Sequence, residues 1–347
     1  MEYQREGNRF LTIENERLRM TFWLNKGADM IELCHKPSDV DVLWHAPLPI
    51  HKPGDYTAPA SSGSGTFFDY YPGGWQEVFP NSHLPTSEYK DAPLGLHGEV
   101  CLLPWSYRVE EDQGEHLKIQ LAVQTVRTPF RLAKTIEIFR DQPWFYLHET
   151  IVNIGQEEMA YNWGHHPTFG APLLDEGSII DVPEGSVTVT PDYPYSATAR
   201  YAQGQRKHWP MLRDVNGDEV NAARVKSAET RTSDSFHLEL SEGWASLRNP
   251  KLDIGIGLAW DIKQFPYLWC WQGYGGSWGY PFYGRNYNIA LEPFTNPIGN
   301  LVESIASGHS RNLQPSGSAT TTLRVGFTRG DRPIRRIRVE EGETYDF

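Results

Sequence analysis

The stretch His116-Leu117-Lys118-Ile119-Gln120-Leu121-Ala122-Val123-Gln124 sets the class of fold. Leu117, Ile119, Leu121 and Val123 alternate with Lys118, Gln120, Ala122 and Gln124. A period of two sends the first set to one side of an extended chain and the second to the other, as in a half-buried strand. Leu323, Val325 and Phe327 alternate with Arg324 and Gly326 in the same way. Further strands are predicted at Phe10–Ile13, Leu18–Leu24, Lys134–Phe139, Phe145–Asn153 and Ser186–Thr190. Others are predicted at Trp244–Arg248, Ile254–Trp260, Tyr267–Gln272 and Asn288–Pro293. Asn216-Gly217, inside Leu212–Val220, supplies a hairpin turn. Long segments with the helical period are missing, as are repeats and linkers. The expectation is an all-β protein, one large single-domain antiparallel β-sandwich over residues 1–347. Stretches 46–95, 191–210 and 273–287 read as long loops, and loops of that length in a compact domain commonly bind something.

Composition agrees. Of 347 residues, 13% are aromatic, and 31 Gly with 25 Pro punctuate the chain, which excludes a coiled coil or a helix bundle. Acidic residues outnumber basic ones, 44 to 32, giving a net charge of −12 with no basic block, so no nucleic-acid partner is expected. Cys34, Cys101 and Cys270 have neither disulfide-framework nor zinc spacing, so no metal is expected. No apolar run approaches the roughly 18 residues of a membrane helix, and no basic-then-apolar leader is visible. A cytoplasmic protein with no membrane partner is expected, as either a monomer or a homodimer.

Five segments can carry chemistry. His97 sits in Gly95-Leu96-His97-Gly98, where Gly98 permits close approach of a ligand; a loop His satisfied by a carbonyl is equally open. His165 and His166 are adjacent in Gly164-His165-His166-Pro167-Thr168-Phe169. On a strand they point to opposite faces, so they do not share a metal, and one of them can serve as a general acid near neutral pH. Glu292 lies inside the apolar run Ala290-Leu291-Glu292-Pro293. A carboxylate there faces solvent or is held in a site, where burial would raise its pKa and suit it to be a general base. Trp260–Tyr287 holds eleven aromatics in 28 residues, with Trp269 and Trp271 on one strand face and Cys270 and Gln272 on the other. Such faces suit a sugar's C–H surface or a sandwich core. Finally, Tyr70–Asn81 frames Trp75, Gln76 and Asn81 between two Gly and two Pro, either as a ligand-presenting loop or as a packed turn. No HExxH, P-loop, Rossmann fingerprint or GxSxG elbow is present.

The order of these motifs is more telling than any one of them. Leu96-His97-Gly98, then Gly164-His165-His166-Pro167-Thr168-Phe169, then Leu291-Glu292-Pro293 resembles the aldose 1-epimerase (galactose mutarotase) superfamily over about residues 10–330. The stretch from Trp75 to Leu103-Pro104-Trp105 looks closest to its divergent bacterial branch. The resemblance implies a β-sandwich isomerase of carbohydrate metabolism that interconverts the α and β anomers of a hexose or modified hexose without a cofactor. It implies Glu292 as general base, His166 as general acid and His97 as the His that hydrogen-bonds the sugar near its ring oxygen. Trp75, Gln76, Asn81, His165, Trp271 and Gln272 are the further candidates for sugar contacts. One departure stands out: the loop in which many members carry a sugar-binding Arg reads Gly74-Trp75-Gln76-Glu77 here.

Anomer exchange needs one base and one acid. The O1 proton leaves, the ring oxygen gains a proton, the C1–O5 bond opens, and the ring recloses on the other face. Three other readings stay open. A carbohydrate-binding protein without turnover would use the same aromatic faces. A hydrolase would need a second carboxylate, for which Glu77, Asp234 and Asp261 are candidates. A mutarotase for a phosphorylated or sulfonated hexose would need convergent cations from among Arg127, Arg131, Lys134 and Arg285.

Overall fold

The computed structural model describes residues 1–54 and 63–339; residues 55–62, within the first predicted loop, lie outside the described set. Two large antiparallel sheets dominate. The larger has twelve strands, running Glu2–Arg5, Asn8–Glu14, Leu18–Trp23, Asp29–His35, Trp75–Val78, Gly164–Phe169, Tyr287–Phe294, Tyr267–Tyr274, Thr232–Glu239, Val187–Val189 and Arg206–His208, with Val40–Asp41 beside Asp29–His35. The smaller has eight, running Ile179–Asp181, Trp244–Asn249, Ile254–Trp260, Ser318–Thr328, Trp144–Asn153, Phe130–Phe139, His116–Gln124 and Ser106–Asp112. One hydrophobic cluster joins them. In it Ile119, Leu121, Leu132, Ile136 and Leu323 of the small sheet meet Met20, Leu33, Leu268 and Leu291 of the large one. This is the sandwich that the alternation predicts.

The predicted strands all appear, most of them lengthened by a residue or more. The predicted hairpin forms between Met211–Arg213 and Glu219–Asn221. Strands without a sequence prediction include Asp29–His35, Trp75–Val78, Ser106–Asp112 and Thr232–Glu239. Trp75–Val78 is buried on both faces, so it shows no alternation to read. Short helices interrupt the β pattern. One of them, Leu301–Ser307, starts with a reciprocal cap, Asn300 accepting from the Glu303 amide and Glu303 from the Asn300 amide, and ends at Gly308.

Register places the site. Gly164 pairs with Phe294 and Thr168 with Ala290, so His166 and Glu292, midway between, sit opposite each other on adjacent strands. Glu292 pairs in turn with Trp269, and His166 with Gln76. Opposed residues of antiparallel strands share a face. Gln76, His166, Glu292 and Trp269 therefore form one row on the outer face of the large sheet. A second row runs Thr168, Ala290, Trp271 and Ser235. The intervening residues along these strands, His165, Leu291 and Cys270 among them, face the small sheet.

Candidate functional site

A cavity of about 570 Å³ opens on the outer face of the large sheet. The three long predicted loops converge on it. Phe67, Phe68 and Tyr71 come from the first, Tyr193 and Tyr195 from the second, and Trp278, Tyr280 and Phe282 from the third. Trp269 and Trp271 form part of its floor, and His97, His166 and Glu292 meet there. These three are 7%, 6% and 3% exposed.

His166 Nε2 stands 3.8 Å from Glu292 Oε2, and the His97 and His166 rings are 5.0 Å apart between centroids. Burial pushes the Glu292 carboxyl well above the ordinary carboxylate range, and among the described residues no cation offsets it. Burial also pulls His166 down to about 4. In these surroundings the proton of the pair rests on Glu292, with His166 neutral beside it. His166 Nδ1 is 3.0 Å from Thr168 Oγ1, which is 2.9 Å from the Tyr71 hydroxyl. A threonine hydroxyl both donates and accepts, so this chain supports His166 whether Nδ1 is bare or protonated.

His97 is held differently. Its Nδ1 lies 2.6 Å from the Ser82 carbonyl, an acceptor only, so Nδ1 carries the hydrogen and Nε2 the lone pair. Burial, with His166 and His83 nearby, holds its pKa well below the usual imidazole value. His97 has φ 61° and is followed by Gly98 at 78°. A Cβ on Gly98 would come 2.2 Å from the Phe79 carbonyl oxygen, so only glycine lets the loop press against that strand end. Asn81 ties the same loop, donating to the Gly95 and Leu84 carbonyls and accepting from the Leu301 amide.

Of the residues singled out in the sequence, His97, His166, Glu292 and Trp271 line the cavity. Trp75, Gln76, Asn81, His165 and Gln272, expected as further sugar contacts, are not among the described residues that line it. Asn81 braces the His97 loop. Gln76 shares the face of His166, but its amide donates to Asp29 Oδ2 and the Gly73 carbonyl. Gln272, on the opposite strand face from Trp271, accepts from the Tyr201 hydroxyl and donates to the Ala222 carbonyl. Trp75 Nε1 donates to His165 Nδ1 at 3.2 Å, inside the sandwich. The cavity residues that sequence reasoning did not single out include Tyr71, Phe282 and Ser235. Trp269, which alternation places on the face of Trp271, lines the cavity too; Tyr71 and Phe282 gave no signal beyond lying in aromatic-rich loops.

His165 belongs to a closed network between the sheets. His165 Nε2 is 3.0 Å from Glu149 Oε2, and Lys134 Nζ is 3.3 Å from Glu77 Oε2. Trp163 Nε1 donates to Glu77 Oε1. Burial alone would raise the Glu77 carboxyl, but His165 and Lys134 outweigh it and hold it low. Burial and the neighbouring Glu77 raise Glu149 to about 7. Ligand atoms of Glu77, Glu149 and His165 lie within 4.8 Å of one another, the one such grouping with metal-like spacing among the described residues. The Lys134 ammonium already supplies the positive charge at this point, so the group reads as an ion network.

The remaining candidates have other duties. Among the described residues no Lys or Arg lines the cavity. Arg127 donates to the Pro93 carbonyl, Arg285 to the Phe282 carbonyl, and Arg131 is exposed on its strand. Glu292 is likewise the one carboxylate in the described lining. Asp234 accepts from the Arg200 and Tyr201 amides, and Asp261 caps a turn at Lys263.

Residues 5–327 match the profile described as Domain of unknown function (DUF4432). The chain belongs to this family. Among solved structures, a Klebsiella pneumoniae protein named a "putative aldose 1-epimerase" superposes with a TM-score of 0.74 at 16% identity, over 95% of this chain and 82% of that one. A galactose mutarotase-like protein from Clostridium acetobutylicum gives 0.63 at 11%, over 95% and 98%. A galactose mutarotase related enzyme from Lactobacillus acidophilus gives 0.60 at 16%, over 97% and 100%. The DUF4432 chain thus has the galactose mutarotase-like fold. A search of curated proteins gives no match.

Proposed function

We propose that the protein is an aldose 1-epimerase that interconverts the anomers of a neutral sugar. The observation that carries this reading is the opposed His166–Glu292 pair, 3.8 Å apart on the floor of an aromatic cavity. Burial favours one proton on the pair, held by Glu292, and mutarotation consumes and returns one proton at two oxygens of the same ring.

In the working form Glu292 is the carboxylate and His166 the imidazolium. Sugar hydroxyls donating to the carboxylate favour that distribution over the one that burial alone dictates. Glu292 takes the O1 proton while His166 protonates the ring oxygen, and C1–O5 opens. The aldehyde turns about C1–C2 and the steps reverse on the other face. Each positioned proton transfer contributes about 10²–10⁴-fold. His97 offers a lone pair at Nε2, so it accepts from a sugar hydroxyl; donating to the ring oxygen would require the imidazolium that burial opposes.

The lining argues against two other readings. A hydrolase needs a second carboxylate, and the described lining holds one. An anionic hexose needs cations, and the described lining holds none. The test is proton NMR exchange spectroscopy on glucose, galactose, mannose, rhamnose, a hexose 6-phosphate and a 6-sulfonated glucose, with Glu292→Gln as control. Acceleration of a neutral sugar, lost in the control, is the expected result. Acceleration that survives Glu292→Gln would sink the assignment. Line broadening without acceleration would favour a binding protein.

A further inference from the structure

The cavity continues well past the catalytic pair. From His166, ring centroids step 6.2 Å to Trp271, then 5.7 Å to Phe282, 6.1 Å to Phe68 and 6.1 Å to Tyr280. The aromatic lining is therefore continuous from the His166–Glu292 pair out to Tyr280. The volume of about 570 Å³ falls in the ~300–1,000 Å³ range of sites that enclose drug-sized ligands. Such ligands are closer in size to a disaccharide than to a hexose.

At the far end the aromatic faces meet water. Trp278 is 59% exposed and Tyr280 53%. Exposed aromatics that cluster at a cavity mouth mark a binding surface more often than a packing defect. These two are also held in place. The Trp278 ring lies on Gly284, where a Cβ would come 2.5 Å from Cζ3. The Tyr280 hydroxyl donates to Asp69 Oδ1 at 2.6 Å. A ligand stacking on them has little side-chain entropy left to remove.

Resting on the mutarotase reading, we infer that the substrate is a neutral reducing disaccharide. Its reducing ring lies over His166 and Glu292, and its second ring stacks on the Trp278–Tyr280 rim. The chemistry restricts the linkage: O1 of the reducing ring must be free, so the second sugar is attached through another oxygen. The surroundings favour a sugar over a hydrocarbon substituent, because Ser196, Ser235 and Ser277 line the cavity among the rings; Ser196 Oγ donates to the Ser233 carbonyl and Ser277 Oγ to Ser233 Oγ, which leaves those oxygens able to accept from sugar hydroxyls. The absence of Lys and Arg from the described lining makes the second ring neutral too.

The experiment measures anomer exchange for maltose, cellobiose, lactose and melibiose beside glucose and galactose, in the wild type and in Trp278→Ala. In the wild type, kcat/KM for at least one disaccharide exceeds that for its own reducing sugar by about tenfold, the factor expected from one stacked aromatic. Trp278→Ala removes that ratio, and Tyr280→Ala lowers it. If the monosaccharides are turned over as fast as every disaccharide, or if Trp278→Ala slows both lengths equally, the inference is overturned while the mutarotase reading stands. If no sugar of either length is accelerated, the catalytic reading itself fails and takes the inference with it.

Discussion

His165 and His166 are neighbours in sequence and opposites in physics. His165 faces the small sheet, where Glu149, Glu77, Lys134 and Trp75 surround it and charge is met by charge. His166 faces the cavity, where the Glu292 carboxyl, 3.8 Å away, is also kept neutral by burial. The inner group gathers two carboxyls, a histidine and a lysine into one buried cluster. The outer pair is left short of stabilising charge, and on the proposed reading a bound sugar would change where its proton sits. A buried ion cluster and an uncompensated histidine–carboxyl pair thus lie on opposite sides of one sheet.

Substitutions on the two sides should then fail in different ways. The largest effect is expected from Glu292→Gln, with anomer exchange falling about 10³-fold or more. Because burial keeps the carboxyl neutral, the amide is a close mimic, and stability in urea unfolding stays within about 0.5 kcal/mol of wild type. A large loss of stability would contradict the division. Lys134→Met is the inner counterpart. It strands Glu77 beside Glu149 and costs about 3–5 kcal/mol in urea unfolding. The folded fraction should keep its exchange rate.

Acid sensitivity is a second measure of the contrast. His166 is depressed from 6.5 to about 4, so the unfolded chain binds its proton first as pH falls. The associated stability is present above pH 6.5 and is lost on the way down to about pH 4. At ~1.4 kcal/mol per pKa unit it amounts to about 3 kcal/mol. Melting His166→Phe across this window should show a shallower decline than wild type, with the remainder due to groups such as His97 and His237 that are depressed in the same direction. An unchanged slope would mean that His166 is not buried neutral. The smallest effect belongs to Thr168→Val, which removes the hydroxyl from Nδ1. Exchange should drop about tenfold, one hydrogen bond's worth, and Thr168→Ser should restore it. An imidazole ¹⁵N shift at His166 that moves with the Val variant would separate this positioning role from a packing role.

Much of this was legible from residue order, and the gaps have physical causes. Alternation alone sends His165 and His166 to opposite faces, and it puts Trp269 with Trp271. The same rule, applied to Tyr267–Tyr274, already turns Gln272 away from the cavity. Glu292 stands out because a carboxylate in an apolar strand requires a reason. Trp75, Gln76 and Asn81 could not be placed that way. Their roles depend on which groups the folded loops bring within reach, such as the Gly73 and Gly95 carbonyls, and no local pattern encodes that. Nor could sequence show that Arg127 and Lys134 are engaged elsewhere. That follows from contacts with Pro93 and Glu77, 34 and 57 residues away.

The pressure of Gly98 against the Phe79 carbonyl bears on any attempt to transplant this chemistry. A histidine grafted into another loop brings its imidazole but not the backbone bend that aims it, and any side chain at the next position would push the loop off its seat. His97 and Gly98 therefore work as one structural unit. In a distant sequence the dipeptide, rather than the histidine, is the feature to search for.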